Sequence, residues 1–350
     1  LAGFVAEKTN YHHGEQCLFD TITKMAQDFP GSNNIPYLQK DGQFGSRLNG
    51  GKDAANARYI YTKLHKLARF LFPEEDDGLL TKRIDDGDEV EPEFYLPIIP
   101  MILVNGCTAG IGTGWSCTIP QFNPLELVES VKTWIKNKTI FGEDDEGSYS
   151  LIPELTPWYR KHNGKIEKVS EDKYISYGNC ISEKKGRNTH VIVNELPVMM
   201  WTDKFKEKLE DLLEKKSIKN MKNYSTPDKV RFVITESIEL RCDVNTLKLK
   251  THISTSNMVL FTENNKLKKF YTVDDIIEMF CIKRYTYYQL RKKSQLKKLN
   301  QQLKIFGNKY RFLQDVMNDK LVIFKKDYNV IVESLTQNKY DKYNQSYDYL

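Results

Sequence analysis

Towards the end of this sequence Leu296, Leu299, Leu303, Phe306, Tyr310 and Leu313 recur alternately three and four residues apart. That period places all six side chains on one seam of an α-helix, whereas a strand would divide them between its two faces. A helix with such a stripe has to cover it with another helix. The chain is therefore expected to carry the start of a coiled-coil arm, with helical texture from Thr272 onward. No second strand of the coil is legible before residue 350. Its partner is expected either in returning sequence or in another chain. Lys292, Lys293, Lys297 and Lys298 fall off the seam and read as a solvated face.

An arm needs a base, and the 350 residues are too many for one hydrophobic core, so two or three structural units are expected. From Glu15 to Phe29, Leu18, Ile22, Met25 and Phe29 fall at helical spacing until Pro30-Gly31 stops the helix. A glycine-rich stretch follows, from Asp41 to Lys52. Leu64, Leu67, Ala68 and Leu71 then predict a second helix ending before Pro73. Residues 94–104 are apolar and β-branched with two prolines, the pattern of a buried or edge strand. Helix, turn, helix and strands in that order suit a winged helix. Asn123-Pro124 opens a helix bearing Leu127, Val128, Val131, Trp134 and Ile135.

Between about 140 and 270 the texture changes to short strands, such as 190–193 and 230–234, around one helix at 202–214. A hairpin is predicted with strands at 258–261 and 267–270. The fold class is therefore α+β and multidomain. The expected domains are 1–126, a winged helix; 127–271, an α+β unit; and 272–350, the base of the arm.

A hydrophobic fraction of 40%, with 17 Phe and 20 Tyr, argues against wholesale disorder. The net charge of +5 permits a polyanionic partner without demanding one. No apolar run approaches the ~18 residues of a membrane span, and no basic-then-apolar leader opens the chain. Six scattered cysteines without a CxxC pair read as reduced thiols, so a soluble intracellular protein is expected. Because the sequence opens on Leu1 in what reads as the middle of a domain, a fragment of a longer protein is expected.

Among twenty tyrosines, Tyr59 stands out by its neighbours. A phenol with a reference pKa of ~10 attacks phosphorus poorly unless its proton is taken and cations offset the charge that builds on the phosphate. Arg58 adjoins it, and Arg47 and Lys52 lie just upstream in the glycine-rich loop, where backbone can approach a phosphate chain closely. His12 and His13 sit at a helix start, where N–H groups and the helix dipole favour an anion. The loop from Gly110 to Gly114 lacks the Gly-Lys-Ser/Thr ending of a P-loop and the spacing of GxGxxG, so neither nucleotide fold is expected. The acidic clusters 74–77, 85–89 and 143–146 adjoin glycines and read as solvated loops.

Several motifs together carry a resemblance: Tyr-His-His-Gly-Glu-Gln at 11–16, Gln-Phe-Gly-Ser-Arg at 43–47, Gly50-Gly51-Lys52-Asp53, Ala-Arg-Tyr-Ile at 57–60 and Gly-Ile-Gly-Thr-Gly-Trp-Ser at 110–116. With Lys-Leu-Lys-Thr at 248–251 ahead of Asn257-Met258-Val259-Leu260-Phe261, the sequence resembles eukaryotic and large-virus type IIA DNA topoisomerases. The histidine motif lacks the proline of the bacterial gyrase pattern. The resemblance is strong over 1–126, moderate over 190–300 and general elsewhere.

The resemblance implies that Tyr59 attacks a DNA phosphodiester to give a 5′-phosphotyrosyl link, with Arg58 stabilising the transition state and His13, with His12 nearby, supporting the phosphate. It implies that Ile111 wedges between bases and bends the duplex, and that Tyr11, Arg47, Lys52, Lys248, Lys250, Thr251 and Asn257 contact DNA, the last four from a region called the tower. It further implies a homodimer acting on double-stranded DNA in the nucleus or at a site of viral replication. Mg²⁺ and ATP would be bound by domains not present here, so no metal ligand is expected in this chain. The alternative is a non-catalytic winged-helix DNA-binding protein. One departure stands out: Cys107-Thr108-Ala109 makes the segment before Ile111 one residue longer than the family pattern and removes its acid.

Overall fold

A computed structural model describes residues 1–141, 154–186, 188–237, 240–262 and 264–350 of the protein. Two compact units emerge, Leu1–Arg284 and Tyr285–Leu350. The acidic cluster at 143–146 lies outside the described residues.

The first unit opens with helices α1 (Ala2–Lys8) and α2 (Glu15–Ala26). Gly14 enters α2 in an extended conformation, and the Glu15 carboxylate sits in the first turn, where the helix dipole favours it. The helix stops at Ala26, short of Phe29, because Gln27 turns extended. Ile22 and Ala26 pack with Leu38, Phe44 and Ile60 in one cluster.

The helix expected at 64–71 shrinks to a single turn, α3 (Ala68–Leu71), followed by another, α4 (Glu74–Asp77). Upstream of α3 the backbone is extended instead, bridging Asp41 to Tyr61 and Leu38 to Leu64. Pairing with the glycine-rich segment wins over helical periodicity there, and Leu64 and Leu67 are left exposed.

A hairpin of β1 (Lys82–Asp85) and β2 (Asp88–Pro92) turns at Asp86 and Gly87, both with positive φ. This is the primed two-residue turn that Asp-Gly favours. The strand expected at 94–104 does not form. Pro97 and Pro100 donate no backbone hydrogen bond, and Pro100 instead precedes helix α5 (Met101–Asn105), accepting from the N–H groups of Leu103 and Val104. A second hairpin, β3 (Cys107–Gly112) with β4 (Trp115–Ile119), then leads to α6 (Pro124–Phe141). The Asn123 side chain accepts from Leu125 N–H at its start.

The remainder of the first unit is strand-rich: β5 (Ile166–Ser170), β6 (Lys173–Tyr177), β7 (Asn179–Lys185), β8 (Asn188–Glu195), helix α7 (Thr202–Glu214), β9 (Ile218–Asn223), β10 (Phe232–Glu236), β11 (Lys250–Ser254), β12 (Met258–Phe261) and β13 (Leu267–Phe270). The order β7-β8-β10-β9 makes an antiparallel sheet, β11-β6-β5 a second, and β12-β13 the expected hairpin. Alternating Val191 and Val193 join Phe232, Ile234, Phe205 and Leu209 in a core where each fully buried side chain contributes roughly 2 kcal/mol. Phe205 meets Phe232 edge-on at 5.1 Å.

Helix α8 (Val273–Met317) runs into the second unit, which also contains α9 (Tyr328–Gln337). Leu321, Leu335, Tyr340 and Tyr347 form its core. The Arg311 guanidinium stacks 3.7 Å from the Tyr340 ring, and the Tyr340 hydroxyl donates to Asp315. The seam from Leu296 to Leu313 forms as helix and stays uncovered, between 50% and 71% exposed. Helix α9 is therefore not its partner.

Candidate nucleic-acid interface

The Tyr59 turn is short and well capped. Residues Ala57–Tyr59 form one 3-10 turn, in which the Asn56 side chain accepts from Arg58 N–H at 3.3 Å and the Asn56 carbonyl from Tyr59 N–H at 2.9 Å. Immediately after it, Tyr61 and Asp41 exchange two backbone hydrogen bonds. Tyr59 is thus held between a cap and a bridge, with its side chain 68% exposed and the Arg58 guanidinium 5.2 Å from its ring. Tyr61 is equally exposed, and among the described residues no arginine lies against its ring.

The glycine-rich loop owes its shape to close backbone contacts. Gly45 has φ of +87°, and a Cβ there would lie 2.5 Å from the Gly51 carbonyl oxygen. The Gln27 amide donates to the carbonyls of Phe44 and Gly51, and Asp53 accepts from Ser46 N–H and Oγ. Trp201 occupies the space a Gly50 side chain would need. Its neighbours Thr202 and Asp203, at the start of α7, donate to the carbonyls of Arg47 and Leu48.

Arg47 corrects the expectation of a DNA contact. Its guanidinium turns inward and pairs with Glu195, both side chains being almost fully buried. Glu195 also accepts from the N–H groups of Asn163 and Leu196, and His162 Nδ1 lies 4.0 Å away. Burial, opposed by Glu195 and aided by Arg47, holds the His162 pKa below its ordinary value. The sequence carried a signal for this. Val191, Val193 and Glu195 alternate onto the same face of β8, and a carboxylate on an inward register demands a cation.

His12 and His13 are exposed ahead of α2. The Tyr11 ring meets His13 edge-on at 5.5 Å, and His12 Nε2 lies 3.5 Å from Asp85 at the tip of the β1–β2 hairpin. The acidic cluster at 85–89 is therefore not a free loop. Nor is the one at 74–77: Asp76 is buried and pairs with Arg284 at 2.6 Å, while Glu74 and Asp77 flank Arg69. Helix α2, which follows the histidines, and Ile60, which follows Tyr59, meet in one cluster, since Ile22 of α2 and Ile60 pack on the same three residues.

Ile111 sits near the tip of the β3–β4 hairpin and is 86% exposed. Pairing runs Cys107 to Ile119 and then Gly110 to Cys117, so β3 holds one residue more than β4 over that interval. The extra residue of the Cys107-Thr108-Ala109 segment is absorbed as a β-bulge, and Ile111 keeps a regular partner in Ser116.

Of the remaining candidates, Lys52, Lys248 and Lys250 are exposed, Lys250 donating to the Asn245 side chain. Thr251 and Asn257 are engaged within the protein. The Thr251 hydroxyl donates to the Val198 carbonyl, and the Asn257 amide donates to Ser116 Oγ.

The chain matches the DNA gyrase/topoisomerase IV A-subunit family over residues 1–346. It is 44% identical over 352 residues to DNA topoisomerase 2 of Invertebrate iridescent virus 6, an alignment covering 100% of this chain and 30% of that protein. It is 39% identical to DNA topoisomerase 2 of Plasmodium falciparum (isolate K1 / Thailand), covering 98% of this chain and 24% of the other. Against Homo sapiens DNA topoisomerase 2-alpha the identity is 40%, covering 97% and 22%. The crystal structure of the Plasmodium falciparum topoisomerase II DNA-binding, cleavage and re-ligation domain superposes with a TM-score of 0.84 at 37% identity, covering 100% of this chain and 46% of that one. The chain thus spans less than a third of the length of these three full-length relatives.

Proposed function

We propose that this chain, which belongs to the DNA gyrase/topoisomerase IV A-subunit family, is the tyrosine-bearing part of a type IIA DNA topoisomerase that cuts and reseals duplex DNA. The observation that carries the reading is the Tyr59 turn: an exposed phenol, fixed by a cap before it and a bridge after it, with a guanidinium against its ring. In the proposed step a Tyr59 Oη–P bond forms and the P–O3′ bond breaks. The phenol loses its proton, and the leaving 3′ oxygen gains one as a hydroxyl. The products are a 5′-phosphotyrosyl link and a free 3′ end. Arg58 lies within reach of the phosphate that Tyr59 attacks and offsets its growing negative charge, while His13, with His12 beside it, donates to a phosphoryl oxygen. Resealing is the reverse attack and conserves the phosphodiester energy.

Phosphoryl transfer to tyrosine draws on a divalent cation to offset charge on the attacking and leaving oxygens. Among the described residues no group of three His, Cys, Asp or Glu side chains is placed to hold a metal ion. The proposed reaction draws its Mg²⁺ and ATP from other parts of a full-length protein, as the family resemblance implies. The working particle is a homodimer, one Tyr59 per strand, opening a gate for a second duplex to change supercoiling and decatenate DNA. Its place is the nucleus or a site of viral DNA replication. Residues 1–126 form the cleavage domain, 127–271 the tower and 272–350 the base of the arm. Lys52, Lys248 and Lys250, and Tyr11 beside His13, lie along the DNA.

The test uses the full-length protein with Mg²⁺ and end-labelled duplex, quenched with detergent. Wild type is expected to yield adduct at the 5′ phosphate, Tyr59→Phe none, and Tyr61→Phe an undiminished amount. A wild type that binds duplex without adduct would leave only a DNA-binding scaffold.

A further inference from the structure

The wedge residue Ile111 projects from a two-stranded hairpin, and such a hairpin alone is marginally stable. Its tip is braced from one side. Trp115 crosses the hairpin from the position opposite Gly112, where a Cβ would lie 2.2 Å from the indole Nε1, so only glycine leaves room for the ring. The same indole meets Phe261 of β12 in a T-shaped contact, with ring centres 5.5 Å apart. Asn257, at the start of that second hairpin, grips β4 twice: its amide donates to Ser116 Oγ at 3.0 Å, and its carbonyl accepts from Thr118 N–H at 2.8 Å. Ser116 is the residue paired with Ile111.

We propose that Trp115 and Asn257 are positioning residues that lock the β3–β4 hairpin to the β12–β13 hairpin, so that Ile111 enters the duplex at a fixed place and angle. The inference rests on the reading of Ile111 as a DNA-bending wedge. A wedge has to resist the recoil of the step it opens, and bending a duplex is costly enough that a loose wedge leaves it nearly straight. Two hairpins joined by an aromatic contact and two hydrogen bonds resist what one would not. The Asn257 amide is already committed to Ser116, so its effect on DNA passes through the hairpin.

The experiment measures the bend by energy transfer between dyes on the two ends of a duplex bound to the full-length protein, in parallel with covalent adduct in Mg²⁺. Two substrates are used, a continuous duplex and one with a mismatched, flexible pair of steps at the bend. Trp115→Ala is expected to straighten the continuous duplex and lower adduct about tenfold on it, with binding little changed. The flexible duplex is expected to restore both, and Trp115→Phe to keep most of the bend. Asn257→Ala and Ser116→Ala are expected to give similar losses that do not add in the double variant. A Trp115→Ala protein that bends DNA as wild type does, or additive losses at Asn257 and Ser116, would overturn the brace. Restoration on flexible DNA also shows that the variant is folded. If wild type itself makes no adduct, the catalytic reading fails, while the bend comparison still decides this one.

Discussion

At the scale of single residues, the split between outward and inward polar groups decides what each can do. The proposal for Tyr59 and Arg58 could be made from the sequence because adjacency needs no fold to bring them together. The roles of Arg47 and Asp76 could not be read there, because their partners Glu195 and Arg284 lie 148 and 208 positions away, and burial reverses the meaning of a charge. His162, close to the Arg47–Glu195 pair, titrates accordingly. Its folded pKa lies below the ordinary value, so the unfolded chain binds more protons in the interval between the two. Its contribution to stability is then full above about pH 6.5 and is lost as the pH falls towards the folded pKa. Thermal unfolding followed from pH 7.5 to 5.5 is expected to show falling stability in wild type and a shallower slope in His162→Gln. Equal slopes would discard this assignment.

At the scale of elements, local pattern served where one surface decides the outcome. The α7 span and the β12–β13 hairpin came out as expected: α7 buries Phe205 and Leu209 on one face, and Asn265 turns the hairpin at positive φ. It failed at 94–104, where β-branched side chains suggest a strand but two prolines cannot supply the ladder, and at 64–67, where the expected helix does not form and Leu64 bridges to Leu38 instead. The Asp86-Gly87 turn was readable and points to a hairpin that an acidic-loop reading conceals. The bulge in β3 gives a prediction of its own. Deleting Thr108 should straighten the strand without moving Ile111 out of register with Ser116. Stability is then expected to change by less than about 1 kcal/mol and the DNA bend to persist, whereas deleting Thr113 from the turn should abolish the bend. Denaturant melts and the dye-labelled duplex read both.

For the molecule as a whole, the sequence correctly anticipated a mixed helix and strand fold with a long helix at its end. The exposed heptad seam agrees with the absence of a legible second coil strand before residue 350, while which of the two expected partners covers it depends on where another helix lies. The charge balance adds a prediction. These 350 residues alone are expected to bind duplex without Mg²⁺ and with an affinity that falls steeply as salt rises, as phosphate contacts by Lys52, Lys248 and Lys250 release counterions. They are expected to form no adduct until the remainder of the enzyme is supplied. Gel shifts across a salt series and a detergent-quenched cleavage assay test the two halves. Salt-independent binding would contradict the electrostatic surface, and adduct from the chain alone would place the metal ligands within it.

The contact between Gly50 and Trp201 carries an evolutionary consequence. The indole fills the space where a side chain at position 50 would stand, so neither position can drift freely while the other is held. Across descendants of this gene the two sites should change together or not at all. A chimaera that splices the first 126 residues of one lineage onto the remainder of another should tolerate the junction only where that pair is inherited intact.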